Sequence, residues 1–266
     1  MQVALVQVAS PPEEPLARRL DRVGRLCTDA DGADLVVLPE LWASGFFAFD
    51  EYRRSAETLD GRIVGTAAAW ARDLRCHMHL GSFVERTKGG HLFNTAVLLT
   101  PTGRIAAAYR KIHLFGVGSR EPEVLTAGSS IEVAPTEVGR LGLATCYDLR
   151  FPELWRAIVD EDATATLLTA AWPVARIAHW QLLTSSRAVE NQMFVIATNA
   201  VGVQAGNELG GRSRIVAPDG ALVVEAGTDE GVTTARIDPS LVATVRAAYP
   251  ALRDRRLGRP VEGVRA

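Results

Sequence analysis

Apolar runs of strand length recur along the chain as QVALVQVA (2–9), DLVVLPE (34–40), MHLGSFVE (78–85), NTAVLLT (94–100) and IAAAYRKI (105–112). Runs of this kind, rich in β-branched residues, predict β-strands, and the PTG between the last two predicts a hairpin turn. Between the first two lies PPEEPLARRLDRVGRLCTDADG, in which Leu16, Leu20, Val23 and Cys27 fall at helical spacing behind a cluster of prolines. That pattern predicts a helix laid on a sheet. A second helix is expected over GRIVGTAAAWARDLR (61–75), so the first half reads β-α-β-α-β followed by a hairpin.

The second half repeats the order. LGLATCYD (141–148) is strand-like, FPELWRAIVD helical, ATLLTAAW a strand, AHWQLLTSSRAVENQ a helix and MFVIATNAV a strand; RSRIVAPDGALVVEA then predicts a hairpin about Pro218-Asp219-Gly220. Alternating strands and helices predict an α/β protein, and two similar halves predict two mixed sheets packed together with helices outside. No linker or low-complexity tract divides the halves, so one domain over 1–266 is expected, with a helix and then an arginine-rich arm from about Pro239.

Composition narrows the function. With 47% hydrophobic residues and a formal net charge of −2, from 29 basic and 31 acidic residues, the chain offers no basic face for nucleic acid. The start, MQVALVQVASPPEEP, has no positively charged leader, and no apolar stretch reaches the roughly 18–20 residues of a membrane span. Three cysteines cannot all pair, which favours a reducing compartment. A cytoplasmic protein with no membrane partner is therefore expected.

Cys27 lies on the apolar stripe of the first helix and Cys76 borders a strand, so both are expected to pack as small hydrophobes. Cys146 differs: it ends a strand just before a helix, where α/β proteins place ligand sites. A nucleophilic cysteine needs a base, and only His179 follows it, so carboxylates are the remaining choice. Glu40 closes an apolar run and leads into Trp42, Phe46 and Phe47; Lys111 lies in the β-like YRKIHLF. Taken singly, each reads by default as an ordinary surface residue. Cys76, His77 and His79 in CHMH lack a second ligand group at zinc spacing, and neither GxGxxG nor GxxxxGK[ST] occurs, so no metal and no cofactor are expected.

Together, LPELWASGF with Glu40, YRKIHLFG with Lys111 and TCYDLRFPEL with Cys146 resemble, in order and wording, the Glu-Lys-Cys motifs of the nitrilase, or carbon-nitrogen hydrolase, superfamily. NTAVLLTPTGRI, AWP, HW, RAVEN and GGRSRIVAPDG extend the resemblance over nearly the whole chain. It implies a four-layer αββα sandwich and hydrolysis of a non-peptide C–N bond in a small amide, through a thioester on Cys146. It also implies Glu40 as base and Lys111 with the Tyr147 N–H on the oxyanion. A second glutamate is expected between lysine and cysteine: EPEVLTAG offers Glu121 and Glu123, and Glu121, seven residues before Gly128, fits the family spacing better. Tyr147, Arg150 and Trp172 are expected to contact substrate. Arg150 has two readings, a partner for a substrate carboxylate or a bridge to Asp148 or Glu153. CYDLRFPEL, AWP and HW are most similar to the ω-amidase branch. Nitrilases and N-carbamoyl amidases are the alternatives, followed by a non-catalytic binding or scaffold protein of the same fold. A homodimer or larger homo-oligomer is expected.

Overall fold

The computed structural model describes residues 1–257. The first half runs β1 (Gln2–Gln7), α1 (Leu16–Thr28), β2 (Leu35–Val37), the single turn α2 (Tyr52–Ser55), α3 (Arg62–Leu74), β3 (His77–Arg86), β4 (Leu92–Leu99) and β5 (Ile105–Arg110). After the short α4 (Glu121–Val124), the second runs β6 (Val133–Thr136), β7 (Gly139–Thr145), α5 (Pro152–Asp160), β8 (Ala165–Ala170), α6 (Ile177–Asn191) and β9 (Phe194–Asn199). A hairpin of β10 (Val201–Gln204) and β11 (Asn207–Gly210) precedes β12 (Arg214–Val216), β13 (Leu222–Glu225) and β14 (Gly231–Arg236), and α7 (Leu241–Ala248) and α8 (Ala251–Asp254) end the described chain. The arm expected from about residue 239 is thus helical at first, and its end from 258 lies outside the described residues. Among these residues no helix is long and apolar enough to cross a membrane.

Twelve of the fourteen described strands form two mixed six-stranded sheets, ordered β14-β1-β2-β3-β4-β5 and β13-β12-β9-β8-β7-β6, while β10 and β11 pair only with each other. Each has three parallel strands at its centre, β1-β2-β3 or β7-β8-β9, and antiparallel strands on either side. The parallel strands are buried on both faces, which is why they read as unbroken apolar runs rather than alternations. Val3, Leu5, Leu35 and Val37 of one sheet meet Leu141, Leu143, Leu167 and Ile196 of the other, forming the inner core. The outer face of the first sheet, with Ala4, Val36 and Met78, takes the stripe Leu20, Val23 and Cys27 of α1 and Ile63, Val64 and Ala67 of α3. Trp155 and Ile158 of α5 and Trp180 of α6 cover the outer face of the second. The four layers are therefore helix, sheet, sheet, helix, as the two similar halves predict.

Edges depart from the sequence reading. β6, β14 and the β10–β11 hairpin have no counterpart in it, because half-exposed edge strands such as VAPT and GVTTAR mix polar with apolar residues, and Pro135 in β6 disguises a strand. β2 keeps only three residues of DLVVLPE, and β5 and β7 stop at Arg110 and Thr145, leaving Lys111 and Cys146 just beyond the ladders.

Candidate active site

Glu40 and Cys146 follow the ends of parallel strands, one in each sheet, and the face-to-face packing brings these ends together. Past β2, the Leu38 N–H still bonds His79 O (2.9 Å), then the Glu40 N–H turns to Ala170 O (3.4 Å) and the Leu41 N–H to Ser82 Oγ (3.1 Å). A bulge in β3 between His79 and Ser82 makes room for that turn. At Gly81, with φ +75°, a Cβ would sit 2.0 Å from Pro39 O. Gly128 does the same behind Lys111: its missing Cβ would lie 2.0 Å from Arg110 O, and its N–H bonds Lys111 O at 2.8 Å. Both residues therefore sit on backbone that only a glycine neighbour leaves room for.

Lys111, Glu40 and Glu121 converge with no side-chain exposure. Lys111 Nζ donates to Glu40 Oε1 (2.9 Å) and to Glu121 Oε1 and Oε2 (3.0 and 2.9 Å). The Ala171 N–H meets Glu40 Oε2 at 2.9 Å, and the Phe115 N–H meets Glu121 Oε2 at 2.6 Å. Asn94 on β4 adds donors to both carboxylates, at 2.8 Å to Glu40 Oε1 and 3.0 Å to Glu121 Oε1. Glu123 instead stays at the surface beside Arg120 (3.3 Å). Of the two glutamates in EPEV, Glu121 is the one that joins the cluster.

Cys146 is the first residue after β7 and has φ 48°, a left-handed conformation that a non-glycine residue holds only under constraint; Leu41 shares it. Burial, and then the Glu40 charge, push the Cys146 thiol well above its ordinary range, with Lys111 drawing it partly back. Burial opposes the Lys111 ammonium, but Glu121 and Glu40 outweigh it and hold its pKa above the usual lysine value. Burial holds Glu121 above its ordinary value; Lys111 draws it partly back, the Glu40 charge raises it again, and a hydrogen bond from Asn94 lowers it to a lesser extent. Cys27 and Cys76 lie in the helix-covered core, pushed by burial up to about 12 and about 11.

Asp148, fully buried, ties the Cys146 turn to the Lys111 segment. Its Oδ2 accepts from Tyr109 Oη (2.7 Å) and the Thr145 N–H (2.9 Å), and its Oδ1 from the His113 N–H (3.1 Å), with His113 Nδ1 at 2.7 Å. These contacts fill both oxygens, and among the described residues no ion pair joins Arg150 to Asp148 or Glu153. The bridging role open to Arg150 in the sequence is thereby corrected. Arg150 lies over the Trp172 ring (4.9 Å), with Nη2 3.2 Å from His179 Nδ1.

Cys146, Tyr147, Arg150 and Trp172 line one cleft of about 190 Å³, walled by Phe46, Phe47 and Phe115. Arg176 lies on the same cleft, over Phe115 at 5.6 Å. Among the described residues neither guanidinium has a carboxylate partner. Asn94, Asp148 and Arg176 escape the sequence reading as parts of the site. The visible signal was a polar residue inside each of two apolar segments, FNTAVLL and TCYDLRF. His77 Nε2 lies 2.8 Å from Glu137 Oε2, whereas His79 Nδ1 accepts the Gly81 N–H at 3.3 Å, so the two histidines have separate partners.

The sequence pattern of carbon-nitrogen hydrolases matches residues 2–247. The chain is 40% identical to a 2-oxoglutaramate amidase of Paenarthrobacter nicotinovorans, across 96% of this chain and 90% of that protein. It is 32% identical to the ω-amidase NIT2 of Homo sapiens, across 89% and 90%. Among solved structures, it superposes with a TM-score of 0.90 and 33% identity, over 98% of both chains, on XC1258 of Xanthomonas campestris, a CN-hydrolase superfamily protein with an arsenic adduct in its active site. Nit3 of Saccharomyces cerevisiae, a member of branch 10 of the nitrilase superfamily, superposes at 0.84 with 30% identity over 94% of both chains.

Proposed function

The chain belongs to the carbon-nitrogen hydrolase family, and from that premise we propose that it hydrolyses the terminal amide of a small carboxylate-bearing compound, in the manner of an ω-amidase. The amide chemistry rests on the buried cluster of Glu40, Lys111 and Glu121 and on Cys146, which lines the cleft. One observation carries the substrate class: two arginines, Arg150 and Arg176, lie against aromatic walls of that cleft and, among the described residues, have no carboxylate partner. A guanidinium left uncompensated in a cleft suits a substrate carboxylate, which it binds through two parallel hydrogen bonds.

An amide carbonyl is a poor electrophile, and a thiol pushed up by burial does not ionise unaided, so attack and proton removal must be coupled. In this reading Cys146 Sγ adds to the carbonyl carbon while its proton passes to Glu40. The charge that moves onto the carbonyl oxygen meets Lys111 and the Tyr147 N–H, which lies in the first turn of a 3-10 helix where an N–H has no intrahelical acceptor. Glu40 returns the proton to nitrogen, the C–N bond breaks, and ammonia leaves a thioester on Cys146. Glu40 then takes a proton from water as it adds to the thioester carbonyl, the C–S bond breaks, Glu40 returns that proton to Cys146 Sγ, and the carboxylic acid leaves. Glu121 holds Lys111 charged and in place throughout.

Ammonia release over monoamides of dicarboxylic and 2-oxo-dicarboxylic acids, neutral aliphatic amides, nitriles and N-carbamoyl compounds tests the reading. Monoamides of the acids are expected to turn over fastest. Arg150→Lys should lower kcat/KM on them by about 10- to 100-fold, the worth of one charge-assisted hydrogen bond, while sparing neutral amides. Equal losses on both, with a lower Tm, would make Arg150 structural. Turnover confined to nitriles, or carbon dioxide released with ammonia from N-carbamoyl compounds, would replace the proposed substrate class. No turnover of any compound would leave a non-catalytic protein of this fold.

A further inference from the structure

Asn94 is of a residue type that does not announce chemistry, yet it lies at the centre of the cluster. It is 1% exposed, on the otherwise largely apolar β4, and its carbonyl accepts the Lys111 N–H at 2.9 Å. Its Nδ2 touches Glu40 Oε1 and Glu121 Oε1, the same two oxygens that Lys111 Nζ touches. Two donors and two acceptors thus alternate around a four-atom ring. We propose that Asn94 is a positioning residue that restricts proton transfer to a single oxygen, Glu40 Oε2, by occupying the other oxygen and binding the two carboxylates together. The inference rests on the reading of Glu40 as the base.

A carboxylate oxygen offers two acceptor sites. On Glu121 all four are taken: Asn94 and Lys111 on Oε1, Lys111 and the Phe115 N–H on Oε2. On Glu40, Lys111 and Asn94 fill Oε1, and the Ala171 N–H takes one site on Oε2. One site remains in the cluster, on Glu40 Oε2, for a proton leaving Cys146. Without Asn94, one site on Glu40 Oε1 and one on Glu121 would open, and a proton held there would be of no use to the thiol.

Charge leads to the same residue. Two carboxylates and one ammonium leave an excess of one negative charge before the thiol ionises. An amide offsets part of it with its dipole and adds no titrating group, whereas a second cation would weaken the base and a third anion would repel both partners. The amide orientation follows, since the reverse would turn Oδ1 toward two carboxylates. In the observed orientation Oδ1 has no partner among the described residues, a cost that an apolar side chain in β4 would not incur.

The titratable groups facing the pair are Lys111, Cys146 and Tyr52, whose hydroxyl is held by Phe46 O. The test measures kcat, KM and their pH profiles for Asn94→Ala and Asn94→Asp, with the rate of Cys146 alkylation by iodoacetamide. In Asn94→Ala, kcat should fall on the order of 10- to 100-fold, the scale of a misplaced catalytic group, with KM little changed. The acid limbs of kcat/KM and of alkylation should move to higher pH, because the ionised carboxylates lose a donor. Asn94→Asp, which keeps the shape, should work best at acid pH, where its protonated carboxyl still donates one hydrogen bond, and fail as pH rises. Acid limbs that stay in place, with a uniform loss that follows a lowered Tm, would overturn the proposal. If Asn94→Ala does not fold, Asn94→Asp decides alone: a profile without the added alkaline decline counts against it. Full activity in Glu40→Gln would instead remove the underlying assignment of the base.

Discussion

An ammonium with no exposed surface persists at Lys111 because the carboxylates of Glu40 and Glu121 surround it. Taking it away leaves two carboxylates buried side by side. Lys111→Met is therefore expected to lower stability by about 3–5 kcal/mol at neutral pH, the range for breaking a buried pair from one side. Without Lys111, burial and the Glu40 charge raise Glu121 further, so the orphaned pair holds a proton more tightly folded than unfolded; the deficit should shrink as pH falls through the raised folded value, close below the unfolded carboxylate value, and be largest at high pH. Thermal melts of both proteins between pH 4 and 8, differing by a constant amount, would refute this. Glu40, Lys111 and Cys146 were legible as reactive types in recognisable wording, and Gly128 picked Glu121 over Glu123 by spacing. Asn94 left only the trace of a polar residue in an apolar strand, and a neutral amide there reads like any ladder residue. Asp148 was seen only as a possible mate for Arg150, because nothing local reveals Tyr109 and His113 reaching it across the fold.

Central strands and the longer helices declared themselves by unbroken apolar runs and by the Leu20, Val23, Cys27 stripe; edge strands and short turns did not, because one side of each faces water and needs no apolar pattern. Close approach of neighbouring backbones places the site. Two glycines on neighbouring segments, Gly81 in the β3 bulge and Gly128 after α4, let the backbones carrying Glu40 and Lys111 lie closer than any side chain permits. Gly81→Ala adds a methyl 2.0 Å from Pro39 O at a φ of +75°, so either the bulge or the Glu40 turn must shift. A loss of kcat on the order of 100-fold is expected, alongside reduced stability. Gly65→Ala in α3, where nothing lies within 4 Å, serves as the control and should stabilise by about 0.5–1 kcal/mol. Steady-state rates and melts of the three proteins check both expectations, and a fully active Gly81→Ala would show that the Glu40 turn tolerates the displacement.

For the molecule as a whole, the repeated order of elements foretold two similar sheets but not how the first one closes. In the second sheet the antiparallel neighbour of the leading parallel strand is β6, which directly precedes β7. In the first sheet that place belongs to β14, which pairs with β1 along its whole length, and the Met1 amino group bonds Ile237 O at 2.9 Å. More than two hundred residues lie between the partners. Chains cut after Ala226 should therefore leave β1 as an open edge and remain sensitive to protease in their first half, whereas the full chain resists; a protected fragment from the cut chain would disprove this. The pairing also sets a clock. At roughly 5–20 residues per second of synthesis, β1 waits roughly 10–45 s on the ribosome before its partner is made. The first half to be translated is thus the last to be sealed, and until then it stands as an unfinished sheet with an open edge.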